Sequence, residues 1–161
     1  LIAVDIEDSK LGLARTLGAT HTINSSLTDP VQAVMDLTEN KGVDYVVEAA
    51  GLGSTISQAF EMVRRYGGRC IFASHPQPGE RVSIDPFEMI CGKSLEGSWG
   101  GSSKPDRDIP ILGKYYREGK LGLEYLISRT YTLETINEAL DDLEARKIVR
   151  ALISIAPLGT E

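Results

Sequence analysis

The sequence is poor in cysteine and aromatics and contains no long apolar run. Cys70 and Cys91 are its two cysteines, far apart and without a histidine at metal-ligand spacing. This argues against a zinc centre or a disulfide framework within the chain. Free thiols of a cytoplasmic protein are the expectation. No apolar stretch approaches the roughly 20 residues that cross a bilayer. No basic segment leads into an apolar one near the start, so neither a membrane span nor a secretory signal is expected. Net charge is −6 and aromatics make up 6% of the chain. No Lys/Arg stripe is interleaved with them, which argues against nucleic acid as a partner. An initiating Met is also missing. Leu1–Val4 already reads as a strand, so the chain is expected to be part of a longer polypeptide.

What is present is ordinary for a globular domain: 161 residues, 42% hydrophobic and 25% charged, enough for one core. The apolar run Leu1–Val4 predicts a strand of a parallel sheet covered on both faces. A helix capped by Asp8 or Ser9 follows and stops at Gly18. His21–Asn24 reads as a strand. Thr28 is expected to cap a second helix with Pro30 in its first turn. Asp44–Ala50 is the next strand. Ser54 is expected to cap a third helix with Ile56, Ala59, Phe60 and Val63 at i, i+3, i+4 and i+7, ended by Gly67-Gly68. Arg69–Ser74 is a strand, and Asp85-Pro86 opens a short helix with Glu88 completing a capping box. Ser94–Trp99 is a strand. A helix near Asp108–Arg117, a strand over Tyr125–Tyr131, a helix capped by Thr132 and a strand Arg150–Ile155 complete the pattern. The acidic run Glu138–Glu144 reads as a solvated helix face. Strands alternating with helices predict a doubly wound parallel α/β sheet. The alternation loosens after about Gly101, which predicts a partial doubly wound domain over residues 1–101, with 102–161 ending it and returning toward another domain.

The most informative residue is Asp5, at the carboxyl end of a strand that leads into a helix. A carboxylate there accepts hydrogen bonds from the 2′- and 3′-hydroxyls of an adenosine ribose. It also repels a 2′-phosphate, which favours NAD over NADP. No arginine follows within several residues, and Lys10 can reach back toward the ribose. Asp5 alone leaves a simple helix cap and a doubly wound methyltransferase open. The glycine fingerprint of dinucleotide folds belongs about 20 residues before such an acid, and nothing precedes Leu1. The loop Gly51-Leu52-Gly53 has the wrong spacing to replace it. Its place at a strand end still makes it an adenine or ribose neighbour.

Five segments carry a family resemblance. They are VDIEDSKLGLARTLGAT (residues 4–20), GVDYVVEAAG (42–51), GGRCIFAS (67–74), GSWGG (97–101) and YTLETINEALDDLEARKIVRALI (131–153). In this order they resemble the zinc-type medium-chain alcohol dehydrogenases, over essentially the whole chain and matching the C-terminal, cofactor-domain part. The resemblance implies a Rossmann-like domain without its first strand and glycine-rich loop. It implies that Asp5 and Lys10 hold the adenosine ribose. Ala49, Ala50, Gly51 and Leu52 would line the adenine side. Phe72, Ala73 and Ser74, with Trp99, would approach the nicotinamide side, and Arg150 would contact the pyrophosphate. Residues 94–99 would form the strand that pairs across a dimer two-fold, giving a dimer or tetramer.

The resemblance further implies an oxidoreductase that moves a hydride between an alcohol or aldehyde and NAD, with zinc as Lewis acid. The family's zinc ligands lie upstream of the matched segments, so no catalytic or metal residue is expected here, and this chain alone is expected to be inactive. His75 and His21 read as surface histidines. A zinc-free quinone or enoyl reductase of the same superfamily is the main alternative. Those usually take NADP with a small or basic residue at the position of Asp5. A non-enzymatic module is the remaining alternative.

Overall fold

The computed structural model describes residues 1–155. They form two compact units, Leu1–Ser103 and a second from Lys104 onward. The first unit runs β1 (Ile2–Asp5), α1 (Asp8–Thr16), β2 (His21–Asn24), α2 (Pro30–Leu37), β3 (Tyr45–Glu48), α3 (Gly53–Met62), β4 (Arg69–Phe72), α4 (Pro86–Ile90) and β5 (Ser94–Gly97), then a 3-10 turn over Trp99–Ser102. Every strand pair is parallel. β1 pairs with β2 from Ile2↔His21 to Asp5↔Asn24. β3, β4 and β5 form a second sheet in which Glu48, Phe72 and Gly97 are cross-strand neighbours at the carboxyl end. The fold is α/β and Rossmann-like.

Helix α3 forms because its apolar residues share one stripe. Ile56, Ala59, Phe60 and Val63 are all buried, as the i, i+3, i+4, i+7 spacing requires. Ala59, Phe60, Val63 and Cys70 make one core cluster, packed by Val46, Ile84 and Leu95. Val46, Cys70 and Leu95 are neighbours across the three strands, so they present a continuous apolar row to the helix. Strand alternation places Glu48 on the same face as Val46. A second cluster, Ile23, Val34 and Met62, is shared between the sheets, since Ile2 of β1 and Val46 of β3 both pack on it.

The sheet is interrupted between β1 and β3. Among the described residues β1 pairs only with β2, and β3 only with β4. One face is also bare: Tyr45 and Val47 of β3 are 64% and 68% exposed. The expectation that the Leu1–Val4 strand is covered on both faces fails, since Val4 of β1 is exposed. Covering such a sheet takes helices on both sides, and the described residues supply them on one side of β3.

Several boundaries differ from expectation. Glu7, not Asp8 or Ser9, occupies the cap position of α1, with no side-chain cap bond. Asp29, not Thr28, caps α2: its carboxylate accepts from the N–H groups of Val31 and Gln32. Helix α3 starts at Gly53 and ends at Met62, because Val63 turns extended and bridges to Val43. Asp85 does cap α4. Glu88, however, turns to Arg65 and Lys93 and completes no capping box. The strands expected over 44–50, 69–74 and 94–99 shorten to four residues each.

The second unit contains α5 (Pro105–Arg117), β6 (Ile127–Thr132), α6 (Ile136–Glu144) and β7 (Arg150–Ser154), with β6 and β7 parallel. Helix α5 begins before Asp108, with Pro105 in its first turn and the Asp108 carboxylate accepting from the Lys104 N–H at 2.7 Å. Thr132 opens a 3-10 turn rather than α6 itself. The acidic run on α6 is not a purely solvated face. Asp142 is buried with Tyr131 and Ala139, while Leu140 of the expected apolar stripe is 57% exposed. Asp142 accepts from the Tyr131 hydroxyl at 2.8 Å and from Lys147 at 3.0 Å. A buried phenol needs such an acceptor, and these bonds hold the Asp142 carboxyl below the usual aspartate range. The expected segment 102–161 extends past the described residues.

Candidate functional site

The carboxyl ends of the parallel strands gather the residues of interest, as expected of open α/β sheets. Asp5 closes β1 and is half-buried. Its Oδ1 accepts from the N–H of Glu7 at 3.0 Å, while its Oδ2 has no hydrogen-bond partner among the described residues. Lys10, one turn into α1, pairs with Glu7 Oε1 at 3.2 Å. Asp5 and Lys10 are thus linked through Glu7. The local chain holds the carboxylate in place and leaves one oxygen for a ligand.

The end of β3 is different. Glu48 is 5% exposed. Its Oε1 accepts from the N–H groups of Ala50 at 2.7 Å and Gly51 at 2.9 Å, and from the Thr55 hydroxyl at 2.8 Å. Its Oε2 accepts from the Ser74 hydroxyl. Burial pushes this carboxyl up, but the bonds from Ser74, Gly51, Thr55 and Ala50 outweigh it and hold the group below the usual glutamate range. Sequence reasoning missed Glu48. The available signal was a lone acid at a buried-parity position of an apolar strand, ahead of small residues.

The turn after β3 leaves Ala49, Ala50 and Leu52 exposed. Gly51 has φ +83°, and a Cβ there would lie 3.4 Å from the Ser74 side chain. Gly53 starts α3 where the chain passes so close to Arg81 that a Cβ would sit 2.3 Å from its carbonyl oxygen. The Gly53 N–H donates to Glu80 Oε1 at 2.9 Å. The loop before α4 therefore closes over the start of α3.

At the end of β4, the Phe72 ring lies against Gly97 of β5, and Ala73 and Ser74 are half-buried. Trp99 is 83% exposed and meets the His75 ring edge-on, with centroids 4.6 Å apart. His75 and Trp99 were not paired by the sequence reading, because nothing in sequence spacing joins the loops after β4 and β5. The structure thus brings Ala50, Gly51 and Ser74 together through Glu48, and sets Trp99 on the loop next to them through His75. The Asp5 and Lys10 group shares no hydrogen bond or ion pair with that set. In the second unit, Arg150 opens β7, is exposed, and donates to the Val149 carbonyl at 3.0 Å.

The sequence profile of zinc-binding dehydrogenases matches residues 1–112. The chain belongs to this family. It is 38% identical over 155 residues to alcohol dehydrogenase class-2 isozyme 2 of Oryctolagus cuniculus, covering 95% of this chain and 40% of that protein. The solved structure of benzyl alcohol dehydrogenase from Acinetobacter calcoaceticus matches with a TM-score of 0.91 and 34% identity, over 96% of this chain and 42% of that one. A zinc-binding dehydrogenase from Sinorhizobium meliloti, solved bound to NADP, matches with a TM-score of 0.84 and 25% identity, over 96% and 44%. The chain therefore spans about two-fifths of the length of these relatives.

The family name implies zinc, but the donors of this chain do not fit it. Among the described residues no group of three or more His, Cys, Asp or Glu is placed to hold a metal ion. Cys70 is fully buried, and burial, reinforced by the Glu48 charge, pushes its thiol up to about 11. A thiol so raised stays protonated and is a poor metal ligand. Nor is any helix among the described residues long and apolar enough to cross a membrane.

Proposed function

We propose that this zinc-binding dehydrogenase chain holds the dinucleotide of an NAD-dependent oxidoreductase that transfers a hydride between an alcohol and an aldehyde. The observation that carries this reading is Asp5. It stands at the end of a parallel strand with one carboxylate oxygen engaged by Glu7 and the other without a partner among the described residues. Such an acceptor suits the vicinal hydroxyls of a ribose. Ile6 follows it, so no adjacent cation offers itself to a 2′-phosphate. Arg15, the first arginine after it, is bonded to Thr22. Lys10 supports the ribose side. Ala49, Ala50, Gly51 and Leu52 flank the adenosine, and Phe72, Ala73, Ser74 and Trp99 flank the nicotinamide.

The chain positions the cofactor and contributes no catalytic group. The hydride chemistry belongs to the cofactor, and the zinc ligands belong to polypeptide outside this chain. The β5 edge away from β4 is unpaired among the described residues, which supports pairing with a second copy through Ser94–Gly97. The parent protein is a cytoplasmic homo-oligomer in this reading. The NADP-bound relative makes NADP the alternative cofactor.

Asp5→Ser in the intact protein decides between them. We expect kcat/KM with NAD to fall about 10- to 100-fold, the worth of a hydrogen bond or two to a charged group, while kcat/KM with NADP holds or rises. An unchanged ratio of the two would refute the assignment of Asp5.

A further inference from the structure

We propose that Glu48 is a positioning residue for the bound dinucleotide. Its buried carboxylate ties the turn after β3 to Ser74 after β4 and so sets the spacing between two walls of the site. The inference rests on the nucleotide reading above.

Glu48 is a buried acid at the end of β3. No lysine or arginine pairs with it, and its charge is satisfied by neutral donors alone: two backbone N–H groups and two hydroxyls. Packing does not require a charge here, since Val46 fills the same face one step earlier with an apolar side chain. Replacing buried ionic groups with well-packed apolar ones is often neutral or stabilising. What the carboxylate adds is geometry. It joins three pieces of chain, Ala50–Gly51, Thr55 and Ser74, at one point.

The bonds also dictate what the turn can recognise. Peptide bonds here are trans, so each N–H is opposed to the carbonyl of the preceding residue. With the N–H groups of Ala50 and Gly51 directed at Glu48, the carbonyls of Ala49 and Ala50 point away from it. Neither carbonyl accepts a hydrogen bond within the described chain. The turn therefore offers acceptors outward and keeps its donors inward. It cannot cradle phosphate, which needs N–H donors. It suits the donor groups of a nucleoside, namely hydroxyl or exocyclic amine.

The test uses the intact protein with Glu48→Ala, Glu48→Gln, Ser74→Ala and Thr55→Val. Dissociation constants for NADH are measured by fluorescence titration, alongside kcat, cofactor KM and thermal midpoint. Glu48→Ala should raise the NADH dissociation constant and cofactor KM about tenfold, with kcat at saturating cofactor changing much less. Glu48→Gln should recover most of that loss, because its carbonyl still accepts from Ala50 and Gly51. Ser74→Ala and Thr55→Val should each raise the constant about threefold. These two variants decide the matter should Glu48→Ala fail to fold. Folded variants that bind NADH like the wild type, with only the thermal midpoint lowered, would overturn the inference and leave the nucleotide reading standing. Wild-type protein that binds neither NADH nor NADPH would overturn both.

Discussion

Two strand ends in the same unit carry an acid, and the two acids do opposite things. Asp5 is half-buried, spends one oxygen on the N–H of Glu7 and keeps the other free among the described residues. Glu48 is buried and spends both oxygens on the protein. The difference follows from position. Asp5 ends a strand beside the interruption in the sheet, paired with Asn24 of β2 on one side and with no strand on the other among the described residues. Glu48 ends a strand beneath α3 and beside β4, where donors converge on it. An acid at a strand end thus keeps an oxygen open or becomes an internal brace according to what the neighbouring elements bring to it.

Stability should separate the two most. Glu48→Ala leaves three donors without a partner, the Ala50 and Gly51 N–H groups and the Ser74 hydroxyl, while the Thr55 hydroxyl keeps the Leu52 carbonyl. At roughly 1 kcal/mol each we expect a loss of about 3 kcal/mol in urea denaturation. Asp5→Ala removes a single bond at a solvated position and should cost about 1 kcal/mol or less. Equal losses would erase the distinction between brace and ligand group.

The acid limb of stability should show a smaller effect of the same origin. The Glu48 carboxyl is held below the usual glutamate value of 4.5. Its contribution is therefore fully present above about pH 4.5, and it fades as pH falls through the lower folded value. Denaturation midpoints followed from pH 6 to about pH 3 should fall less steeply for Glu48→Gln than for the wild type. Parallel curves would mean that the bonds to Glu48 do not favour its charged form. Glu88 adds to the same limb in both proteins, since Arg65, opposed by partial burial and aided by Lys93, holds its carboxyl down to about 2.

The smallest effect is expected at Lys10. It is already paired with Glu7, and a partly exposed ion pair contributes little. Lys10→Ala should weaken NADH binding about threefold or less. A loss as large as that of Asp5→Ser would make Lys10 an equal partner in the site and sharpen the view of this strand end as a two-residue clamp.

Periodicity made much of the architecture readable. The apolar stripe of α3 announced its core face, and short strand-like runs over 1–4, 21–24, 44–50 and 69–74 announced β1, β2, β3 and β4. Pro30 and Pro86 marked helix starts because proline suits the first turn. Boundaries were less readable, since choices between adjacent capping residues are settled by geometry. Asp29 rather than Thr28 meets the N–H groups of α2, and Val63 leaves α3 to bridge Val43. Asp142 was misread because the acidic residues around it dominate the local pattern. It lies three residues after buried Ala139, in phase with the buried stripe, and the Tyr131 hydroxyl claims it.

The sequence by itself determined the class of fold and the family, and singled out the acid at the end of the first strand. All three depend on local periodicity, on residue types at a strand end and on motifs in order, which the chain carries within short segments. Only the tertiary structure decided that Glu48 is a brace and that His75 meets Trp99. These depend on groups distant in sequence arriving at one place. A carboxylate's role is set by the donors and solvent around it, and those are known only once the chain has folded.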